Sequence, residues 1–264
     1  MEKLTRWIAT HRIVVYIISV VILVAWNLFN TSFFNMGVIS FLIIFFAILL
    51  PDLCTNKIIN RAIAKLNNEC DPYPLLEESE FFLARKNKKM WEHAHLTNKY
   101  CALREMGRYR EVYDGLSEMA TKKYRGVSPI GAYVFWNNFA DICTILGKKE
   151  EEVELYAKAQ ECFAKIKPKK QQEQMENYAC IRSAAHLYCQ GAYEDALKTL
   201  KQFQPQSLRN EISMHKLFGE IYLKQNDVEQ ARYHLQIVAE QGNRLYEVEE
   251  AKALLANMPT CEYI

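Results

Sequence analysis

Reactive chemistry in a chain of this kind would rest on its histidines, cysteines, serines and paired carboxylates. His93 and His95 lie two apart on a predicted helix, so they point about 200° apart and cannot share a metal ion. The remaining histidines are dispersed. The eight cysteines, Cys54, Cys70, Cys101, Cys143, Cys162, Cys180, Cys189 and Cys261, form no C-x-x-C pair, so neither a zinc ribbon nor a redox motif is indicated. Several fall at helix positions expected to be buried, where a thiol acts as a small hydrophobe. The alternative, disulfides made in an oxidising compartment, stays open on the even count. Gly126-Val127-Ser128-Pro129 lacks the flanks of a nucleophile elbow and reads as a turn. There is no G-x-x-x-x-G-K-S/T, no H-E-x-x-H and no G-x-S-x-G. Glu77, Glu78 and Glu80 belong to an exposed face, which suits solubility better than acid–base work. No catalytic residue, metal or cofactor is expected, and the chain is expected not to be an enzyme.

What remains is an arrangement of helices. Nine Gly and seven Pro among 264 residues are too few for the turns of a β-sandwich or a Rossmann-type domain. Thirty-three basic residues against 31 acidic ones leave a formal charge of +2, which argues against a nucleic-acid partner.

Charge is distributed very unevenly. From Ile13 to Leu50 there is no Asp, Glu, Lys or Arg. Two apolar blocks, 13–29 and 33–50, fill this window. At about 1.5 Å per residue each is roughly 26 Å long as a helix, near the lower limit for spanning a bilayer core. Asn30-Thr31-Ser32 separates them, and Pro51-Asp52 is expected to end the second. A buried core hairpin and a cleaved signal peptide are the competing readings. A domain this small would have trouble wrapping two all-apolar helices, and no small-x-small cleavage site follows Val24. Lys3, Arg6 and Arg12 precede the first block, Lys57, Arg61 and Lys65 follow the second, and the connector carries no cation. The positive-inside rule then puts both ends in the cytoplasm and the connector outside. Trp7 and Tyr16 would sit near one interface, with Trp26, Phe29, Phe33 and Phe34 near the other. Residues 1–56 are thus expected to be a membrane anchor held in the lipid bilayer through residues 13–50, and residues 57–264 a cytoplasmic domain.

That domain is repetitive. GRYREVYDGL from Gly107, GAYEDALKTL from Gly191 and NDVEQARYHL from Asn226 share one spacing. A turn residue is followed by Tyr or Val two later, a small residue five later (Val112, Ala196, Ala231) and Leu nine later. A looser copy starts at Gly147, with Glu152 where the small residue belongs. Turn residues at 107, 147, 191 and 226 recur every 35 to 44 positions, which is the signature of a helical solenoid. Gly or Asn in the left-handed conformation ends one helix, and the small residue lets the next approach closely. Upstream of each turn, apolar residues recur at three- and four-residue steps, as in Val134–Leu146.

Trp136, Phe139 and Ala140, then Gly219, Tyr222, Ala231 and Leu235, stand where the tetratricopeptide repeat pattern places its signature residues. Over residues 91–241 the chain resembles that family in degenerate form, a plain α-α superhelix being the near alternative. The resemblance implies an all-α fold: two transmembrane helices, then a superhelix of about five helical hairpins. Lys57–Glu69, cut off at Asp71-Pro72-Tyr73-Pro74, and Leu75–Lys88 would complete the stack at its start, with a capping helix over Tyr246–Asn257.

Such superhelices bind in the groove lined by the first helix of each pair. Carrying the family's groove positions onto this chain gives Asn137, Asp141, Tyr178, Ile181, Tyr188, Ser213, Lys216, Glu220 and Lys224. This mixed polar and aromatic lining suits an extended peptide or a partner protein's helix; an ordinary solvated face is the alternative. Asn137, Asn138 and Arg182 resemble a peptide-carboxylate clamp found in some members, but Thr97 and Cys101 occupy places where that clamp has Lys and Asn, so it is not expected. Lys57, Arg61 and Lys65 recur every four residues and could lie against anionic headgroups. The expected function is a membrane-anchored scaffold that recruits or assembles protein partners. The alternative is an accessory subunit of a membrane enzyme or transport complex.

Overall fold

The computed structural model of the chain describes residues 2–29, 33–85, 89–124 and 126–259. These form thirteen helices and no strand: α1 (Glu2–Thr10), α2 (Arg12–Phe29), α3 (Phe33–Glu69), α4 (Tyr73–Ala84), α5 (Lys89–Glu105), α6 (Tyr109–Thr121), α7 (Pro129–Ile145), α8 (Lys149–Phe163), α9 (Lys169–Cys189), α10 (Tyr193–Leu200), α11 (Leu208–Lys224), α12 (Val228–Gln241) and α13 (Glu247–Ala256). They fall into two compact units, 1–63 and 64–264, with α3 contributing to both.

In the first unit α2 and α3 lie side by side. Val15, Ser19 and Leu23 on α2 face Ile43, Ala47 and Leu50 on α3 across small apolar cavities. Most of their large side chains point away from protein altogether. Ile13, Val21, Phe41 and Phe46 are more than half exposed, and only 6% and 11% of the two most apolar windows is buried. A helix at the centre of a folded core would show the opposite pattern. Polar groups on these helices are satisfied locally: Ser19 donates to the Val15 carbonyl and Asn27 to the Leu23 carbonyl, at 2.8 and 2.9 Å. Arg12 pairs with Asp52 and reaches Thr55, tying the start of α2 to α3.

One expectation fails here. Pro51 does not end the helix that began at Phe33; α3 runs on to Glu69 with Pro51 inside it. Proline removes one backbone donor but imposes a helical φ. Asp52 and Thr55 of the next turn are held from α2 by Arg12, and Thr55 donates to the Pro51 carbonyl at 2.8 Å. The polar connector 30–32, and the side chains of Phe33, Phe34 and Asn35, lie outside the described residues, as do Lys86–Lys88.

In the second unit four turns set the architecture. Gly107, Gly147, Gly191 and Asn226 all have φ between 60° and 80°. At each, the next residue's N–H reaches back five positions, for example Arg108 to the Leu103 carbonyl at 3.0 Å and Asp227 to the Tyr222 carbonyl at 2.9 Å. This Schellman arrangement satisfies carbonyls that the ending helix leaves open. The next helix then starts at once. The results are the hairpins α5–α6, α7–α8, α9–α10 and α11–α12, with α4 packed along α5 and α13 along α12. The predicted small positions Val112, Ala196 and Ala231 are fully buried between helices, as are Leu116, Leu200 and Leu235 nine residues after each turn. At Gly219 an added Cβ would sit 2.7 Å from Leu235, so a glycine there lets α11 and α12 touch. Glu152, the misfit of the looser copy, is 2% exposed; its carboxylate meets His186 Nδ1 at 2.8 Å and accepts from Gln190 Nε2 at 3.2 Å on α9.

The array also returns on itself. Tyr246 N–H donates to the Glu105 carbonyl at 2.8 Å, and Arg244 N–H to that of Cys70 at 3.3 Å. Arg244 pairs with Asp71 at 3.0 Å and lies over the Tyr73 ring. Tyr109 donates to Glu250 at 3.1 Å. The segment leading into α13 is therefore hydrogen-bonded to the residues before α4 and to the end of α5, and α13 itself to the start of α6.

Candidate functional site

The first helices of the hairpins, α5, α7, α9 and α11, converge on a cavity of about 300 Å³. Its lining includes basic and amide side chains: Arg104 from α5, Asn138 from α7, Arg182 from α9, and Arg209 and Asn210 from α11. Val134, Met175, Ile181 and Phe203 add apolar lining. Helix spacing explains the convergence. Residues three and four apart share a face, so Cys101 and Arg104, or Tyr178, Ile181 and Arg182, reach the cavity together.

The electrostatics are strong because the groups are buried. Asp141, 9% exposed, lies 2.6 Å from Arg104 Nε and 2.5 Å from Arg182 Nη1. Glu105 pairs with Arg104 at 2.7 Å and with Arg209. Burial pushes both carboxyls up, but the flanking guanidiniums, Arg104 and Arg182 for Asp141, Arg209 and Arg104 for Glu105, overcome it and hold both below the usual range. A second group adjoins the first. Lys216 pairs with Glu250 at 2.6 Å and Glu220 at 3.3 Å, and these carboxylates with Glu247 keep it charged against its burial. Glu247, 8% exposed, accepts from Ser213 at 3.5 Å. Burial pushes its carboxyl up to about 7, against the pull of Lys216.

The predicted groove residues divide accordingly. Tyr178, Ile181 and Ser213 line the cavity, and Asp141 anchors two of its arginines. Lys216 and Glu220 belong to the neighbouring ion-pair group. Asn137, 1% exposed, instead donates to the Tyr133 carbonyl at 3.0 Å within its own helix. Tyr188 packs beside Tyr193, and Lys224 lies on the exposed surface. Lys57, Arg61 and Lys65 share one face of α3; Lys57 and Arg61 are exposed, and Arg61 pairs with Glu2 at 2.7 Å. Sequence reasoning missed Arg104, Glu105, Arg209 and Glu247. Arg104 and Glu105 end α5, and Arg209 and Glu247 lie in the first turns of α11 and α13, where charged residues are ordinary and give no signal of burial.

No reactive pair occupies the cavity. Its thiol, Cys101, is pushed up by burial and lies 4.0 Å from Arg209 Nη2. His93 is against Tyr124 and Phe135, and His95 stacks on Phe82. Among the described residues no group of three or more His, Cys, Asp or Glu is placed to hold a metal ion.

No curated protein and no solved structure matches this chain. A family model does match: residues 136–252, from α7 into α13, fit the tetratricopeptide repeat-like domain. With the hairpin geometry above, this identifies 136–252 as a tetratricopeptide repeat-like domain, set behind two helices long and apolar enough to cross a membrane.

Proposed function

We propose that this chain is a membrane-anchored interaction scaffold. In this reading α2 and the apolar part of α3 cross the bilayer with both chain ends in the cytoplasm, and the repeat domain holds a protein or peptide partner there. The apolar exposure of α2 and α3 supports the anchor, since surface of that extent needs lipid or partner to cover it. The flanking cations support the sidedness. The carrying observation for binding is the tetratricopeptide repeat-like domain, whose first helices bring Tyr178, Ile181 and Ser213 to one cavity. Attachment to the membrane would confine a partner to two dimensions and raise its effective concentration. Binding rather than catalysis fits a cavity whose ionisable groups are engaged with one another.

Photo-cross-linking of the full chain in its native membrane tests this. A photoreactive residue replacing Gln174 or Gln206, both at the cavity, should capture a discrete partner, whereas one replacing Glu154, on the exposed side of α8, should not. Equal capture from all three positions would count against the inner face as the binding surface.

A further inference from the structure

The charges of the first unit are gathered at one end. Residues 13–50 carry none, so all of them lie on α1, at Arg12 and on α3 from Asp52 onward. Over residues 2–63 they are five cations, Lys3, Arg6, Arg12, Lys57 and Arg61, against two carboxylates, Glu2 and Asp52. The surplus is three positive charges. Carrying the count to the end of α3 adds Lys65 and Glu69 and leaves it unchanged. Both carboxylates already hold a guanidinium, Asp52 that of Arg12 and Glu2 that of Arg61. These pairs lie ten residues apart on α1–α2 and nine apart on α3, about 15 and 14 Å of helix, so α1 stands antiparallel beside α3. Bonds from the His11 N–H to the Trp7 carbonyl at 2.9 Å, and from the Val15 N–H to that of His11 at 3.0 Å, carry the helix across the α1–α2 junction. Lys3 and Lys57 are exposed and make no ion pair among the described residues. Trp7 and Leu53 are exposed in the same stretch, so apolar side chains alternate with cations there.

We infer that this end of the first unit binds anionic phospholipid headgroups, which Lys3 and Lys57 select over zwitterionic ones. Resting on the proposed bilayer span of α2 and α3, the surface would begin at Arg12 and Asp52, where the charge-free stretch ends. Trp7 and Lys57, each five residues further on, would then lie about 8 Å beyond the hydrocarbon, at the outer part of the headgroup layer. Lys3 and Arg61, about 14 Å out, would stay within a Debye length of that layer. Leu53 and Trp7 would supply apolar contact at the boundary, where tryptophan is favoured. A zwitterionic headgroup brings no net charge to set against the surplus. An anionic one does, and one cation near such a surface is worth about 1 kcal/mol, a preference of about fivefold. Lipid is favoured over a soluble acidic ligand because the cations follow directly on the apolar helices, with no turn of chain between them.

Native mass spectrometry tests this, with the full chain in a non-ionic detergent doped with equal amounts of phosphatidylglycerol and phosphatidylcholine. The phosphatidylglycerol adduct should exceed the phosphatidylcholine adduct by about fivefold or more. Replacing Lys3 and Lys57 together by Gln should bring the two adducts to parity, and replacing both by Arg should keep the preference. Both side chains are exposed, so neither exchange disturbs packing. Gln at Lys169 and Lys170, exposed lysines of the repeat domain, should leave the ratio unchanged. Glycerol phosphate, the same anion without acyl chains, should displace neither lipid. Parity in the unaltered chain, an equal fall in the Lys169 and Lys170 variant, or displacement by glycerol phosphate would overturn the inference while leaving the anchor standing. Absence of both lipid adducts would overturn the anchor and this surface with it.

Discussion

The contact of Tyr246 with the first predicted turn gives the most exacting test of the repeat domain's architecture. Gly107, Gly147 and Gly191 have nearly the same backbone, with φ of 74°, 71° and 80°. Alanine at any of them incurs the left-handed penalty, about 1–2 kcal/mol. Their surroundings differ. A Cβ at Gly147 or Gly191 meets nothing within 4 Å, whereas one at Gly107 would fall 2.3 to 2.7 Å from three ring atoms of Tyr246. That ring must leave. Losing the packing of a half-buried aromatic removes roughly 1 kcal/mol, and losing the Tyr246 N–H bond to Glu105 about 1 more. Gly107→Ala should therefore cost about 3–4 kcal/mol and the other two about half that. In thermal melts of the full chain in detergent, each kcal/mol should lower the midpoint by about 2–4 °C. Hydrogen exchange supplies the local readout: Gly107→Ala should speed exchange across residues 243–250, and Gly147→Ala should not. In a Tyr246→Ala background the Gly107 substitution should shrink to the Gly147 value. Equal costs at Gly107 and Gly147, with unchanged exchange near Tyr246, would refute the closure of the array.

Two further outcomes follow from the buried charges. Burial raises the Glu247 carboxyl from 4.5 to about 7, so its protonated form is favoured by folding; stability is greatest below pH 4.5 and falls as pH rises toward 7. Lys216, Arg104 and Arg209 oppose the shift and Glu105 adds to it. Glu247→Gln should raise the unfolding free energy at pH 8, by up to about 3 kcal/mol, and leave it unchanged at pH 4, read by urea unfolding; the same gain at both values would contradict the assignment. Asp141 behaves oppositely, its carboxyl being held down by Arg104 and Arg182, so its contribution is present above its ordinary range and lost as pH falls through the folded value. Asp141→Asn leaves two buried guanidiniums undercompensated and should cost about 3–5 kcal/mol at pH 7, read by urea unfolding.

The parts of this fold visible in the sequence are those fixed by neighbours in the chain. A left-handed Gly or Asn, a small residue five later and a Leu nine later are local requirements; the copies at Gly107, Gly191 and Asn226 show all three, and the copy at Gly147 departs with Glu152 and Tyr156. There the sequence looked defective because its compensation, His186 and Gln190, lies on the following hairpin. Pro51 misled for the opposite reason: its local rule is to break a helix, and the contacts of Asp52 and Thr55 with Arg12, forty residues away in the chain, are not part of any local rule. The contact of Arg244 and Tyr246 with Cys70 and Glu105 joins positions more than 130 apart, beyond any periodic signal. The same holds for the cavity. Tyr178, Ile181 and Ser213 were expected at groove positions of the repeat and line the cavity, but Arg104 and Arg209 acquire their meaning only where four helices bring them beside Glu105 and Asp141.

Extraction of isolated membranes with alkaline carbonate tests the anchored-scaffold account most directly. The full chain should remain in the pellet and move to the supernatant only with detergent, while a version lacking residues 12–50 should be released by carbonate alone. Release of the intact chain by carbonate would contradict the account.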